Sequence, residues 1–358
     1  MNRDDVLSRR LARQRLTGPA APTPADVVRE LLCVQAQDAA LARAMIGLRC
    51  DAASEAAVRG AIARGEIVRT HILRPTWHYV AAQDLTWLLA LTSPKVESGM
   101  AARHRQLGLD DLVIDRAAAV FEESLGGRRF ATRAGLGSQL AAAGVAAPGQ
   151  PLFGQQVGHL LLLAELRGLI CSAPTDAPDH HYALVREVVT PAALAARSEA
   201  ILELVGRFIT GHGPVALTDL QRWTRLTLKE VRGALEELDG RVVATSVEGS
   251  ELWQSTGVTA ATRPRRAWLL STFDEAFLTY KQVGFPRSAG HLAGAAPYRF
   301  AEAGGGPVIC DLHDVGGWKR TLRRGVSTLN LTLDPGLDAG QRAAIDEAAD
   351  RLLVVLST

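Results

Sequence analysis

The sequence predicts an α+β fold, mainly helical, with three tandem winged helix-turn-helix units followed by a small C-terminal β-barrel-like domain. Three observations carry this expectation. Three segments repeat one order: an apolar-periodic helix, a short turn and a β-rich run. Each is preceded by another helix-length stretch. After about residue 264 the pattern changes to short β-like runs separated by glycine and proline. The expected divisions are 1–92 for the first unit, 93–189 for a helical connection and the second, 190–263 for the third, and 264–358 for the β-rich domain.

The elements follow in order. Thr23-Pro24-Ala25-Asp26 supplies a cap, a proline at the first helical position and an early carboxylate. The helix it starts is expected to end near Val34. Val58-Arg59-Gly60-Ala61-Ile62 leads into the strand-prone Ile67–Leu73, which turns at Arg74-Pro75 into Thr76–Val80. Helices are expected near Leu85–Leu91, Lys95–Gln106 and Leu112–Ser124. The second copy runs from Val157-Gly158-His159-Leu160-Leu161 into Leu169-Ile170-Cys171-Ser172. A helix near Ala192–Ile209 precedes the third. There Thr227-Leu228-Lys229-Glu230 is a capping box, and Leu228, Val231, Leu235 and Leu238 share one face before Val242-Val243-Ala244-Thr245. Trp268-Leu269-Leu270, Pro307–Cys310, Trp318-Lys319-Arg320 and Leu329-Asn330-Leu331 are the later β-like runs. Ala339–Leu353 closes the chain as a helix with Ala343, Ala344, Ile345, Ala348 and Leu352 as its apolar face.

Composition narrows the function classes. The 358 residues suffice for two or three domains, and 47% hydrophobic content excludes a mostly disordered chain. Met1-Asn2-Arg3-Asp4-Asp5 has no apolar signal core, and Leu160–Ala164 is too short to span a bilayer. A soluble, cytoplasmic, nucleoid-associated monomer is the expectation. Cys33, Cys50, Cys171 and Cys310 are scattered, with no Cys-x-x-Cys pair, which favours reduced thiols over structural zinc. Asp179-His180-His181 and Cys310 with His313 are read as loop or strand-end residues, so no metal and no cofactor are expected. A net charge of +2 does not by itself announce a nucleic-acid binder. Phosphate-binding loop, Gly-x-Ser-x-Gly elbow and dinucleotide fingerprint are all missing from the sequence.

The most informative motif is Cys33-Val34-Gln35-Ala36-Gln37. Two amides one residue apart carry no charge and do not titrate near neutrality. A site built on Gln35 and Gln37 therefore works without a strong acid, base or nucleophile. On a regular helix, residues i and i+2 face nearly opposite sides, which is why a helix end is expected there. The alternative is that both glutamines simply end a helix.

Gln35-Ala36-Gln37-Asp38, followed by the block from Ile67 to His78 containing Arg74-Pro75-Thr76-Trp77-His78, resembles the winged-helix DNA alkylpurine glycosylases. Phe273-Asp274-Glu275 matches that family's usual Phe-Asp-Glu-Tyr, and the resemblance covers nearly the whole chain. It implies three winged helices and a C-terminal β-barrel. It maps the catalytic motif onto Gln35 and Gln37, in the Gln-x-Gln form similar to the azinomycin-resistance branch; the crosslink-unhooking branch typically ends in Asp. Two features depart from the family pattern: Ala276-Phe277-Leu278-Thr279-Tyr280-Lys281-Gln282 after the Phe-Asp-Glu, and the Gly- and Ala-rich loop Val283–Gly306.

The implied chemistry suits neutral side chains. Alkylation at N7 or N3 puts positive charge on a purine, so the base leaves with little protonation. A glutamine carbonyl can then face the oxocarbenium-like sugar while amides orient water. The expectation is a monofunctional DNA glycosylase acting on cationic alkylpurines in double-stranded DNA, including bulky natural-product adducts or crosslinks; a Schiff-base lyase would need a placed lysine. Asp38, Asp274 and Glu275 are supporting candidates. Asp38 also reads as a local cap, and Asp274 and Glu275 as a structural salt bridge. Arg69, His71, Arg74, His78, Lys281 and Arg287 are the DNA-contact candidates. Trp77 and Trp87 are read as core. The alternatives are a non-enzymatic winged-helix transcriptional regulator and a protein-interaction scaffold. The former is disfavoured because the third copy carries Glu230, Glu236 and Glu237 where phosphates would lie.

Overall fold

The computed structural model describes residues 1–51, 53–190, 196–257, 266–287 and 304–357. They form an α+β structure, about half helical. Two compact units emerge: Met1–Arg59 with Ile201–Thr358, and Gly60–Ala200.

In chain order, the first unit opens with α1 (Arg3–Arg13), α2 (Pro24–Glu30), β1 (Cys33–Gln35), α3 (Ala39–Gly47) and the start of α4 (Glu55–Ala63). The second unit holds β2 (Ile67–His71), β3 (Trp77–Ala81), α5 (Leu85–Gln106), α6 (Asp111–Leu125), β4 (Ala131–Thr132), α7 (Arg133–Ala142), α8 (Phe153–Leu166), β5 (Ile170–Ser172), β6 (His181–Leu184) and α9 (Val185–Val188). Most of α10 (Arg197–His212) belongs to the first unit. There α11 (Leu217–Thr224), α12 (Leu228–Glu237), β7 (Val242–Val247), β8 (Ser250–Ser255), β9 (Ala267–Leu269), α13 (Glu275–Leu278), β10 (Gly305–Cys310), β11 (His313–Arg323), β12 (Val326–Leu333) and α14 (Ala339–Ser357) follow.

Local chemistry explains several boundaries. Thr23 caps α2 by accepting from the Asp26 N–H at 3.1 Å, with Pro24 in the first turn. Thr227 and Glu230 close the capping box of α12 in both directions. β2 and β3 pair antiparallel from Ile67↔Ala81 to His71↔Trp77, so the turn holds Arg74 and an exposed Pro75. β7 and β8 form a second hairpin, and β4, β6 and β5 a three-stranded sheet in that order.

The structure refines two of the expected elements. The helices expected at Leu85–Leu91 and Lys95–Gln106 are one 22-residue helix with Pro94 inside it. An interior proline costs about 3 kcal/mol, but Leu88, Leu89, Leu91 and Val96 around it are buried, and that packing carries the helix through. The expected barrel-like domain is a half-barrel, a curled four-stranded sheet in the order β12-β11-β10-β9. Of the expected Ala192–Ile209 helix, Ala192–Ala195 lie outside the described residues, as does most of the Val283–Gly306 loop.

Helix α3, immediately after the Gln-Ala-Gln segment, is held by the sheet. Its Leu41, Ala44 and Met45 pack with Leu269, Val308 and Trp318 and with Ile345, Leu352 and Val355 of α14. Full burial of each large side chain contributes roughly 1.5–3 kcal/mol, which makes this a rigid floor beneath the segment. Ala343, expected on the buried face of α14, is exposed. The second unit has its own core around Phe121, Leu136, Leu140, Leu160 and Leu163. All four cysteines are buried free thiols.

Candidate active site

Gln35 lies at the end of a strand, not on a helix. α2 stops at Glu30, four residues before Val34, and Leu32 takes a left-handed conformation at φ +66°. The cause is tertiary. Arg207 of α10 donates to the Arg29 carbonyl at 2.5 Å, and His212 donates its Nε2–H to the Leu31 carbonyl at 3.1 Å. These donors satisfy carbonyls that a continuing helix would have bonded itself. Gly211 allows the approach, since a Cβ there would collide with the Glu30 carbonyl. The chain then extends through β1, and in an extended chain residues i and i+2 fall on the same side. Gln35 is buried, whereas Gln37 is exposed at the bend after the strand.

A network of buried polar groups surrounds β1. Glu275 accepts the Gln35 backbone N–H at 3.1 Å, the Trp223 indole N–H at 2.9 Å and the Thr279 hydroxyl at 2.8 Å. Asp274 caps α13 and takes the Arg49 guanidinium through two bonds of 2.8 and 2.9 Å. Both partners are almost fully buried, so removing either one alone costs about 3–5 kcal/mol. Arg49 also donates to the carbonyls of Gln14 and Met45. Burial lowers the His212 pKa, so its ring is neutral. The ring stacks on Phe208 with centroids 4.5 Å apart. The Gln14 amide faces His212 Nδ1 at 3.5 Å, which fits the tautomer with its proton on Nε2.

Asp38 is occupied as well. One oxygen caps α3 by accepting from the Leu41 N–H, and the other accepts from the Gly304 N–H, each at 3.0 Å. Two carboxylates thus flank the glutamines in sequence or space, and both have their oxygens engaged by protein donors.

In the second unit the hairpin candidates divide. Arg69 is half-buried and lies over the Trp77 ring at 4.2 Å; Arg74 is half-buried beside His78 at 3.2 Å. His71 and His78, expected as DNA contacts, are instead buried. His78 Nδ1 bonds the Thr76 carbonyl, and its burial holds the ring neutral. His71 meets Glu165 at 2.5 Å. Burial pushes His71 down to about 3 and Glu165 well above the carboxylate range. The pair is therefore a neutral imidazole accepting from a protonated acid. Trp87 is buried as expected; Trp77 is only half-buried, against His71 and His180.

Lys281 and Arg287 are exposed on the first unit. So is the tip of the β11–β12 hairpin, where Leu322, Arg323, Arg324 and Val326 stand in solvent. The sequence reading missed this tip because Leu322 and Val326 look like ordinary strand residues. It also missed Arg49, His212 and Trp223, whose partners lie far away in the chain. Among the described residues, no group of three or more His, Cys, Asp or Glu side chains is placed to hold a metal ion, and no helix is long and apolar enough to cross a membrane. His181 begins β6, and Cys310 pairs with His313 where β10 turns into β11.

An α+β chain, about half helical, that has a curled four-stranded sheet in its C-terminal part and carries an uncharged glutamine pair beside a buried acidic motif has the makings of a base-excising enzyme. The model of the AlkZ-like DNA glycosylase family matches residues 28–354, and the chain belongs to that family. It is a DNA glycosylase, with DNA as its substrate. In structure it is similar to the Streptomyces sahachiroi DNA glycosylase AlkZ, with a TM-score of 0.71 over 100% of this chain and 97% of that one at 19% identity. The DIP2311 protein of Corynebacterium diphtheriae aligns at 16% identity over 60% of this chain and 38% of its own, with a TM-score of 0.18 that supports no argument. No curated protein matches.

Proposed function

We propose that the protein is a monofunctional glycosylase that hydrolyses the N-glycosidic bond of cationic N7- or N3-alkylpurines, with Gln35 and Gln37 as its catalytic residues. The observation that carries this reading is the state of the neighbouring acids. Asp38 has both oxygens on backbone N–H groups, and Glu275 has three donors. Neither is poised to protonate a leaving base or to serve as a strong general base. A neutral pair suits a base that arrives already charged, because bond breaking then needs only stabilisation of the sugar cation and an oriented water. Gln37 is the exposed partner and contacts water and sugar. Gln35, fixed by its backbone, presents its carbonyl dipole.

DNA is held by basic surfaces on each unit. In the second unit these are Arg69 and Arg74 of the β2–β3 hairpin. In the first they are Lys281, Arg287 and the β11–β12 tip, where exposed Leu322 and Val326 flank Arg323 and Arg324. The order α4-β2-β3, α7-α8-β5-β6 and α11-α12-β7-β8 supports the reading of these segments as winged helices. The substrate range extends to bulky natural-product adducts, which would make the activity one of self-resistance.

The direct test incubates the protein with duplex DNA carrying N7-alkylguanines of increasing bulk and measures released base and abasic sites. Release by the native protein and its loss in Gln37→Ala support the reading. A folded, DNA-binding protein that frees no cationic base would refute it.

A further inference from the structure

The segment that carries Gln35 is gripped on both sides of its one left-handed residue. Upstream of Leu32, His212 donates to the Leu31 carbonyl at 3.1 Å. Downstream, Glu275 accepts the Gln35 N–H at 3.1 Å. Both side chains are fully buried and are themselves fixed: His212 is stacked on Phe208, and Glu275 is held by the Trp223 indole N–H and the Thr279 hydroxyl. Trp223 also touches the His212 and Phe208 rings, with centroids at 5.6 and 4.8 Å. One aromatic cluster therefore orders both grips.

We propose that His212 and Glu275, linked through Trp223, are positioning residues that set the backbone of Gln35 for the glycosylase reaction. This proposal rests on the reading of Gln35 as catalytic. The physical argument concerns what holds a three-residue strand in register. A short extended segment after a broken helix takes its position from the groups that hold it, and a side-chain amide can be no better placed than the backbone that bears it. A displacement of about 1 Å in a reacting group costs about 10²-fold in rate. Burial makes the grips stiff: a carboxylate with three donors, or an imidazole between a carbonyl and an amide, loses a satisfied bond on any movement. Neither side chain need touch DNA.

The test measures single-turnover excision of N7-methylguanine from duplex DNA, together with affinity for undamaged duplex and thermal stability. His212→Phe keeps a ring to stack but has no donor, and its rate is expected to fall about 10²-fold. His212→Gln restores an N–H and is expected to recover most of that loss. Glu275→Gln presents an amide where Gln35 or Trp223 needs an acceptor, and its rate falls by a similar factor. Trp223→Phe removes one donor to Glu275 and slows the reaction about tenfold, which serves as the milder readout should Glu275→Gln not fold. In every case affinity for undamaged duplex stays at the native value. The proposal is overturned if folded His212→Phe and Trp223→Phe proteins excise at the native rate, if His212→Gln is no better than His212→Phe, or if rate and DNA affinity fall together. Gln35→Ala separates the two levels. Native activity there removes the catalytic reading itself, whereas an inactive Gln35→Ala beside fully active grip variants removes only the positioning.

Discussion

Gly211 lies against the carbonyl of Glu30 so closely that no Cβ fits between them. This approach lets α10 terminate α2 and send the chain into β1. Gly211→Ala must push the two helices apart. A loss of about 1–3 kcal/mol is expected from such overpacking, read as a lower urea midpoint, with slower excision. Gly233 in α12 is the control, because nothing lies within 4 Å of a Cβ there. Gly233→Ala should stabilise by roughly 0.5–1 kcal/mol through helix propensity. Equal effects at the two sites would contradict this account of the helix break.

His71 and Glu165 make stability depend on pH in opposite directions. His71 is lowered from 6.5 to about 3, so its contribution is full above pH 6.5 and is lost as pH falls through that value. Glu165 is raised above 4.5, so its contribution is full below pH 4.5 and is lost as pH rises toward the folded pKa. Above pH 4.5 the two contributions therefore oppose each other, with His71 gaining as pH rises and Glu165 losing. Glu165→Gln keeps a donor for His71 but cannot ionise. Its melting temperature relative to native should therefore rise between pH 5 and pH 8. A constant difference across that range would show that the acid is not protonated in the fold.

The β11–β12 tip should contribute charge more than sequence preference. Replacing Arg323 and Arg324 together by Ala is expected to weaken binding to any duplex and to reduce the slope of log K against log salt by up to about 1.8, at about 0.9 per phosphate contact. Fluorescence anisotropy over a salt series measures it. An unchanged slope would remove the tip from the DNA surface.

The single-turnover rate should vary little between pH 6 and pH 8. Burial lowers the His212 pKa and favours its neutral ring, and Asp38 is engaged by two backbone donors. A stopped-time assay at half-unit intervals decides this, and a slope of one in log rate against pH would point to an unrecognised acid or base.

What could be read from the sequence was local. The Thr23 cap, the Thr227–Glu230 box and the turn at Arg74-Pro75 each rest on chemistry within a few residues, and each appears in the fold. The end of α2 was misplaced because its cause lies about 180 residues away, in Arg207 and His212. The two helices expected at Leu85–Leu91 and Lys95–Gln106 join across Pro94 through packing that is not visible in a helical period. The motif Gln35-Ala36-Gln37 could be found from its residue types, but its backbone geometry could not. Asp274 and Glu275 were legible as a pair; their division of labour, one to Arg49 and one to the Gln35 backbone, was not.

Asp38 holds the Gly304 N–H, and the backbone of Arg287 forms an isolated parallel β-bridge with Asp314, whose N–H bonds the Pro286 carbonyl. Both edges of the stretch between residues 287 and 304 are thus pinned to the rigid unit, one of them to the residue directly after Gln37. Asp38 thereby ties the chain after Gln37 at once to the first turn of α3 and to the residue before β10, so a change at either anchor reaches the glutamines through one side chain.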